Sequence, residues 1–333
     1  MSDWQPSASL DMLKKRARLL AKLRVFFADK DILEVQTPVL SQSGNTDPSI
    51  ESFLLHEHED AKHRIQPYFL NTSPEFAMKR MLAAGYGSMY QITPVFRQDE
   101  ISPKHNPEFT LLEWYRIDFD HHALMGEMNA LIRMMAEDLL PLERSQFYSY
   151  QDAMIKFAEV DPFTISNNDL KQAAVKAGID VVGIEDNDSV DVRDQWLDIL
   201  MCQVVEKNMP KNCPVFIYDY PASQAALAKI KKGSQGTHDV AERFELYING
   251  IELANGFHEL SDAVEQADRF HQEQLKRQAS GQQGIPADHH LIDALKNGLP
   301  DCAGVAIGLE RLLMVLTGAQ HIDEVLAFPY ERA

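Results

Sequence analysis

Along this 333-residue chain, apolar positions recur with two periods, and where each period rules it marks out an element. Alternation is clearest in Phe244–Glu259, FELYINGIELANGFHE. Phe244, Leu246 and Ile248 alternate with Glu245 and Tyr247, then Ile251 and Leu253 with Glu252 and Ala254. This is the pattern of half-buried strands. Asn249-Gly250 tolerates φ > 0 at both positions and predicts a two-residue hairpin turn. The turn puts Ile248 opposite Ile251, Tyr247 opposite Glu252 and Glu245 opposite Ala254. Glu245 and Glu252 then form a diagonal pair on one face, roughly 7–8 Å apart. Two carboxylates on an inward face are costly unless a cation lies between them. A metal carrying phosphates and an exposed hairpin with solvated acids fit this stretch equally.

Helical spacing predicts a helix from Leu10 to about Lys30, with Leu13, Ala17, Leu20, Leu23 and Phe27 on its apolar face. Ile32–Leu40 follows as a short strand that Pro38 confines to an edge or a bulge. The two suit a subunit interface or plain core packing. Tyr68–Thr72 reads as a strand, and Ser73-Pro74-Glu75 opens a helix to about Ala84. Met89–Arg97 and Glu108–Tyr115 make a second hairpin around the charged loop Gln98–Pro107, with Pro94 demanding an edge or bulge. Met125–Leu139 is an amphipathic helix. Residues 161–214 are mainly helical (Asn168–Ala177, Val192–Lys207) and read as an insertion, because strands resume at Val215. Ala263–Ser280 is a charged helix. Gly304–Gly318 is a strand and then a helix burying Leu309, Leu312, Leu313 and Leu316.

A net charge of −18 excludes a broad nucleic-acid surface, which needs Lys and Arg to displace counterions, though not a local basic groove. The three cysteines, Cys202, Cys213 and Cys302, form no CxxC pair and read as reduced thiols. MSDWQPSAS has neither a basic nor an apolar signal region, and no apolar run approaches the ~18 residues of a membrane span. These features predict a soluble cytoplasmic protein with no membrane partner. His56-x-His58 has metal-ligand spacing, but nothing nearby completes a set.

Three segments combine into a phosphate site. Arg97 leaves a strand carrying a fork of donors suited to phosphate. Gly308 lets the backbone approach a ligand, and Arg311 lies in the first turn of a helix whose free N–H groups favour anions. Glu245 and Glu252 supply hard oxygen ligands for Mg²⁺.

With these residues in place, the chain resembles the class II aminoacyl-tRNA synthetase catalytic domain, specifically that of lysyl-tRNA synthetase. The resemblance rests on Leu10–Leu40 with Pro38, FRQDEISPKHNPEFTLLEWY (Phe96–Tyr115), GVAIGLERL (Gly304–Leu312) and FELYINGIELANGF (Phe244–Phe257). It implies an α+β fold, an antiparallel sheet flanked by helices, in a single catalytic domain spanning residues 1–333. It also implies a homodimer and an ATP-dependent aminoacyl-adenylate reaction. Carried over by position, Arg97 and Arg311 are the catalytic residues. Arg97 meets the α-phosphate of ATP, and Gly308 and Arg311 flank adenine and the γ-phosphate. Asp99 stands where the family has Glu, and Phe109 stacks on adenine. His105 and Asn106 lie near the triphosphate and ribose, and Gln98, Glu245 and Leu246 complete the ATP set. Glu245 and Glu252 hold Mg²⁺. Ser73, Pro74, Glu75, Glu113, Tyr115, Glu252, Asn255, Phe257 and Glu259 line the amino-acid pocket, whose acids suit a substrate with two ammonium groups.

Departures mark the subfamily. The first-motif helix begins by Leu10, which leaves no room for an anticodon-reading barrel. Ser73 and His258 replace the usual Ala and Ser, and Pro221–Ala228 (PASQAALA) is unlike lysyl-tRNA synthetases. All four resemble the elongation factor P lysine ligases, which attach (R)-β-lysine to a lysine of elongation factor P. The Ser73 hydroxyl adds polarity where a shifted amino group would lie. Other readings are a lysine ligase charging tRNA or a small acceptor, with tRNA disfavoured, and an inactive regulatory paralogue. Asp99 and Glu100 argue for the last; the intact arginines and hairpin glutamates argue against it.

Overall fold

Ser9 starts the first helix by accepting a hydrogen bond from Met12 N at 3.1 Å, an N-cap that satisfies one of the free donors of the first turn. The structure is a computed structural model describing residues 4–59, 65–98, 100–180, 183–184, 187–234 and 237–333. In chain order it contains α1 (Leu10–Ala28), β1 (Leu33–Glu34), β2 (Leu40–Ser41), β3 (Leu54–Glu59), β4 (Ile65–Leu70), α2 (Glu75–Ala83), β5 (Met89–Phe96) and β6 (Glu108–Ile117). Then come α3 (His121–Ala136), β7 (Gln146–Ser149), α4 (Tyr150–Ala158), α5 (Asn167–Lys176), α6 (Val190–Leu200), α7 (Glu206–Asn208), β8 (Val215–Pro221), β9 (Ile230–Lys231), β10 (Val240–Ile248) and β11 (Ile251–His258). α8 (Ala263–Ala279), α9 (His289–Asn297), β12 (Cys302–Gly308) and α10 (Leu309–Thr317) follow. The chain divides into two units, Met1–Asp118 with Leu260–Ala333, and Phe119–Glu259.

In the first unit the strands run β1-β5-β6-β12, antiparallel except for β1 on the edge. The expected strand Ile32–Leu40 is interrupted. β1 makes two rungs with Met89 and Tyr90, and β2 joins β4 and β3 in a separate three-stranded sheet. Pro94 lies past the two β1 rungs, where no ladder donor is required. The buried stripe of α1 is Leu19, Leu23, Phe26 and Phe27, while Ala17 is exposed. The stripe is turned from the one expected because Phe27 stacks on Tyr90 at 4.2 Å and meets the edge of Trp114 at 5.4 Å.

In the second unit β11-β10-β8-β7 run in order, with β9 on β10 and β7 a parallel edge. β7 and α4, absent from the sequence reading, precede the expected helices. Ser149 caps α4 by accepting from Asp152 N at 3.0 Å. α4–α6 cover a core around Tyr150, Met154, Trp196, Val205 and Ile217. In the hairpin, Asn249 (φ 57°) and Gly250 (φ 72°) both occupy the left-handed region, as the turn requires. A Cβ on Gly250 would lie 2.4 Å from the Glu206 carbonyl oxygen, so only glycine fits there.

The first unit also carries a pH-sensitive acid. Glu273 accepts a hydrogen bond from the buried Thr46 hydroxyl, yet burial and the nearby Asp47 push its carboxyl up to about 7. A folded-state pKa above the unfolded value means that the folded chain binds the extra proton, so stability falls as pH rises from about 4.5 to about 7. Glu273→Gln keeps the Thr46 acceptor and is expected to flatten that slope and to raise Tm at pH 7.5. An unchanged Tm–pH profile between pH 4.5 and 7 would count against this account.

Candidate functional site

β5 ends at Phe96 and hands Arg97 into the loop before β6. Arg97 N donates to the Pro107 carbonyl at 2.9 Å, closing the loop base, and Nη1 pairs with Glu100 at 3.3 Å. The guanidinium lies 5.1 Å from the Phe109 ring centroid. Its Nε is buried without a hydrogen-bond partner among the described residues, a donor oriented for an acceptor. At the loop tip His105 Nδ1 lies 2.6 Å from Ser102 Oγ, and Arg311 Nη2 donates to His105 Nε2. Arginine can only donate, so Nε2 accepts and Nδ1 carries the proton. Burial first, then the charge of Arg311, lower the His105 pKa, and Arg97 and Lys104 act in the same direction. Arg97 and Arg311 thus flank a neutral imidazole, a cationic cluster in keeping with phosphate.

Gly308 caps α10 without a side-chain hydrogen bond, which leaves first-turn N–H groups for a ligand. Its φ of −76° needs no glycine, and a Cβ there would meet nothing within 4 Å. Gly308→Leu is therefore expected to leave Tm unchanged while raising the KM for ATP about tenfold or more, or about 1.4 kcal/mol of binding. An unaltered KM would contradict the placement of a ligand over Gly308.

Phe109, Glu113 and Tyr115 share one face of β6 by alternation, and Ala306 and Gly304 on β12 pair with Glu113 and Tyr115. Ser73 Oγ donates to Glu113 Oε2 at 2.8 Å and Tyr115 OH to Oε1 at 2.7 Å, so both oxygens of this buried carboxylate are oriented. Ser73 Oγ also accepts from Glu75 N at 3.0 Å. Glu75, expected to line the amino-acid pocket, is paired with the buried Lys79 at 2.6 Å. Ser73, Pro74 and Glu75 line a cavity of about 360 Å³ with Asn71, Arg80 and Asp288. Asn106 is committed to the backbone: Nδ2 donates to Glu108 O at 2.6 Å and Oδ1 accepts from Tyr330 N at 2.9 Å. Gln98 is exposed, with its N–H on the Glu51 carbonyl. Asp99 and the His56 and His58 side chains lie outside the described residues.

In the second unit the hairpin register corrects the expected one. Ile248 faces Ile251 and Tyr247 faces Glu252, but a bulge then places Ala254 opposite Leu246 and Asn255 opposite Glu245. Leu253 is the extra residue; it is 3% exposed and its apolar side chain enters the core. Arg243, missed in the sequence, joins this face. Its Nη2 pairs with Glu245 Oε1, its Nε donates to Asn255 Oδ1 at 3.1 Å and its Nη1 to the Gln224 carbonyl at 2.9 Å. Tyr220 OH (2.6 Å) and Tyr247 OH donate to Glu245 Oε2. Burial raises both phenols well above their usual pKa, which keeps them donors. Burial alone would lower Arg243, but Glu245, with Tyr220 and Glu252, holds it charged. Phe257 is half-buried, its ring centroid 6.0 Å from the guanidinium. Leu246 is wholly buried and Glu259 is 2% exposed.

The cation sought between the carboxylates is therefore supplied in part by the chain itself. Oε1 of Glu245 accepts one hydrogen bond, from Arg243, where it has two lone pairs. The second lone pair is a hard oxygen donor of the kind a divalent ion takes. Arg243 stands two residues before Glu245 on the same alternating face, and that period was the signal that could have found it.

The family model for tRNA synthetases class II (D, K and N) matches residues 2–332. A protein of Vibrio atlanticus (strain LGP32) is 46% identical over 332 residues, covering 100% of this chain and 99% of that protein. One of Salmonella arizonae is 46% identical over 330 residues (99% and 98%), and one of Edwardsiella ictaluri 44% over 333 residues (100% and 99%). Each is named elongation factor P–(R)-β-lysine ligase.

Proposed function

The chain belongs to the class II tRNA synthetase family of the D, K and N type, and from that premise we propose that it is an ATP-dependent ligase. It activates (R)-β-lysine, or lysine, as an adenylate and transfers it to a lysine side chain of elongation factor P. The observation that carries this reading is the Arg97–His105–Arg311 cluster beside the open space over Gly308.

In the first step a carboxylate oxygen of the amino acid bonds to the α-phosphorus of ATP, and the bond to the β-phosphate oxygen breaks. Arg97 meets charge growing on the α-phosphate, and for that Glu100 must yield or share its Nη1. Arg311, at the N-terminus of α10, holds the pyrophosphate as it leaves. Glu113, oriented by Ser73 and Tyr115, receives a substrate ammonium, and Glu75 extends the acidic lining. Glu245 and Glu252 would hold Mg²⁺, which when bound neutralises phosphate charge. In the second step the acceptor lysine amine bonds to the carbonyl carbon, the C–O bond to phosphate breaks, AMP leaves and the amine loses a proton. No side-chain nucleophile is needed, so catalysis is positioning plus electrostatics.

We also read the whole span as one catalytic domain with the helical insertion at 161–214. Two copies pair through the first motif, where Leu10 (69% exposed), Val25 and Leu33 leave apolar surface open. Cytoplasmic placement is supported by three cysteines that form no disulfide, one of them exposed. Among the described residues no helix is long and apolar enough to cross a membrane.

Radiolabelled β-lysine with ATP, offered to purified elongation factor P and separately to tRNA, tests the acceptor. Label is expected on the protein alone. Label on tRNA would favour the lysine–tRNA ligase, and absence of any β-lysine- or lysine-dependent ATP–pyrophosphate exchange would favour an inactive paralogue.

A further inference from the structure

His121 is the first residue of α3 and is 2% exposed, which is unusual for an imidazole at a helix start. Its Nε2 lies 3.0 Å from Asp219 Oδ1. A carboxylate accepts, so Nε2 carries a proton, and in the neutral ring Nδ1 offers a lone pair. That Nδ1 is buried and has no hydrogen-bond partner among the described residues. A buried orphan lone pair costs free energy unless an ion or a water meets it.

Glu242 and His258 follow the Arg243–Phe257 rung, on the hairpin face opposite the Arg243–Glu245 pair. His258 Nδ1 lies 2.7 Å from Glu242 Oε2, and its Nε2 lies 3.0 Å from Lys229 Nζ. His121, Glu242 and His258 bring one ligand atom each to within 4.8 Å of one another. Two imidazoles and a carboxylate are the donor set of a three-ligand zinc site with an open fourth position. Asp219 behind His121 is the carboxylate that such a histidine usually has behind it. Asp219 reaches it from a bulge at φ 57°. The surrounding charge also favours a cation: the carboxylates of Glu242, Asp219 and Asp120 face the ammoniums of Lys229 and Lys231.

We propose that His121 through Nδ1, Glu242 through a carboxylate oxygen and His258 through Nδ1 form a binding site for Zn²⁺ or a similar imidazole-preferring divalent ion. The site ties the start of α3 to the back of the β10–β11 hairpin. Lys229 sets its occupancy. An ion at His258 Nδ1 displaces that proton to Nε2, which then no longer accepts from Lys229, so the ammonium must move away. Protons balance: His258 changes tautomer and none is released.

The test is titration of tag-free, chelator-stripped full-length protein with Zn²⁺ against a chromophoric competitor, with Co²⁺ absorption reporting coordination. One site per chain is expected, with a four-coordinate Co²⁺ spectrum. His121→Ala and His258→Ala should weaken binding at least about a hundredfold and Asp219→Asn about 10–100-fold. The exposed control His289→Ala should change nothing. Lys229→Met should tighten binding about tenfold by removing a like charge, which a cluster held together only by Lys229 would not do. Absence of a one-to-one site in the unaltered protein overturns the proposal, as does zinc binding that survives both histidine changes. Should the histidine variants melt early without metal, Lys229→Met decides: unchanged or weaker zinc binding overturns it.

Discussion

Arg97→Ala is expected to lower β-lysine-dependent ATP–pyrophosphate exchange by about a thousandfold or more, with Tm within a few degrees of the unaltered protein. The magnitude follows from what preorganised charge contributes at a phosphoryl centre, about 10²–10³ for one neutral donor and 10³–10⁵ for an arginine. Preorganisation is visible here. The Arg97 backbone closes the loop at Pro107, the guanidinium lies over Phe109, and Nε is already desolvated with no acceptor among the described residues. The small stability effect follows because the ion pair with Glu100 is partly exposed and contributes little. Arg97→Lys should recover only a minor part of the rate, since a point charge cannot reproduce the fork. Exchange within tenfold of normal for Arg97→Ala would remove this residue from the reaction.

The largest stability effect is expected at Arg243. Arg243→Met leaves the Glu245 carboxylate, 7% exposed, without its counter-charge. Removing one partner of a buried pair costs about 3–5 kcal/mol. For the unit that holds it, this is a fall in Tm of roughly 6–20 °C. The double variant Arg243→Met, Glu245→Gln removes both charges while Tyr220 and Tyr247 can still donate to the amide oxygen, and it should recover much of the loss. A double variant as unstable as the single one would place the cost in lost packing against Tyr220 and Phe257, not in the stranded charge. Scanning calorimetry of the four proteins of this cycle separates the two.

Much of the candidate site was legible because it sits on regular elements. Alternation in EFTLLEWY puts Phe109, Glu113 and Tyr115 on one face whatever packs above them, and Asn249-Gly250 permits little besides a tight turn. Interruptions of regularity were not legible. The bulge beside Leu246 exists because Leu253 is drawn into the core, and it moves Asn255 to face Glu245. Residues 32–40 fall into two sheets because Pro38 separates two rungs on β5 from two on β4. The α4 helix follows directly on the parallel strand β7, where its short apolar run carries no clear period.

By itself the sequence determined the elements, the turn, the family and the residue types that phosphate and ammonium groups require. These rest on local backbone preference and on side-chain chemistry, which travel with the residue. Tertiary structure alone decided who is paired with whom. Glu75 is held by Lys79, Glu245 by Arg243 and two tyrosines, His105 by Arg311, and His121 by Asp219. His105–Arg311 and His121–Asp219 depend on distances between segments far apart in the chain, Glu75–Lys79 and Arg243–Glu245 on the rotamers that their surroundings select, and a one-residue bulge changes which side chains share a face. Charge at the Glu245–Glu252 hairpin was therefore predictable in kind, a cation among acids. That an arginine two residues away turns its guanidinium onto Glu245 and Asn255 was decided by the strand pairing.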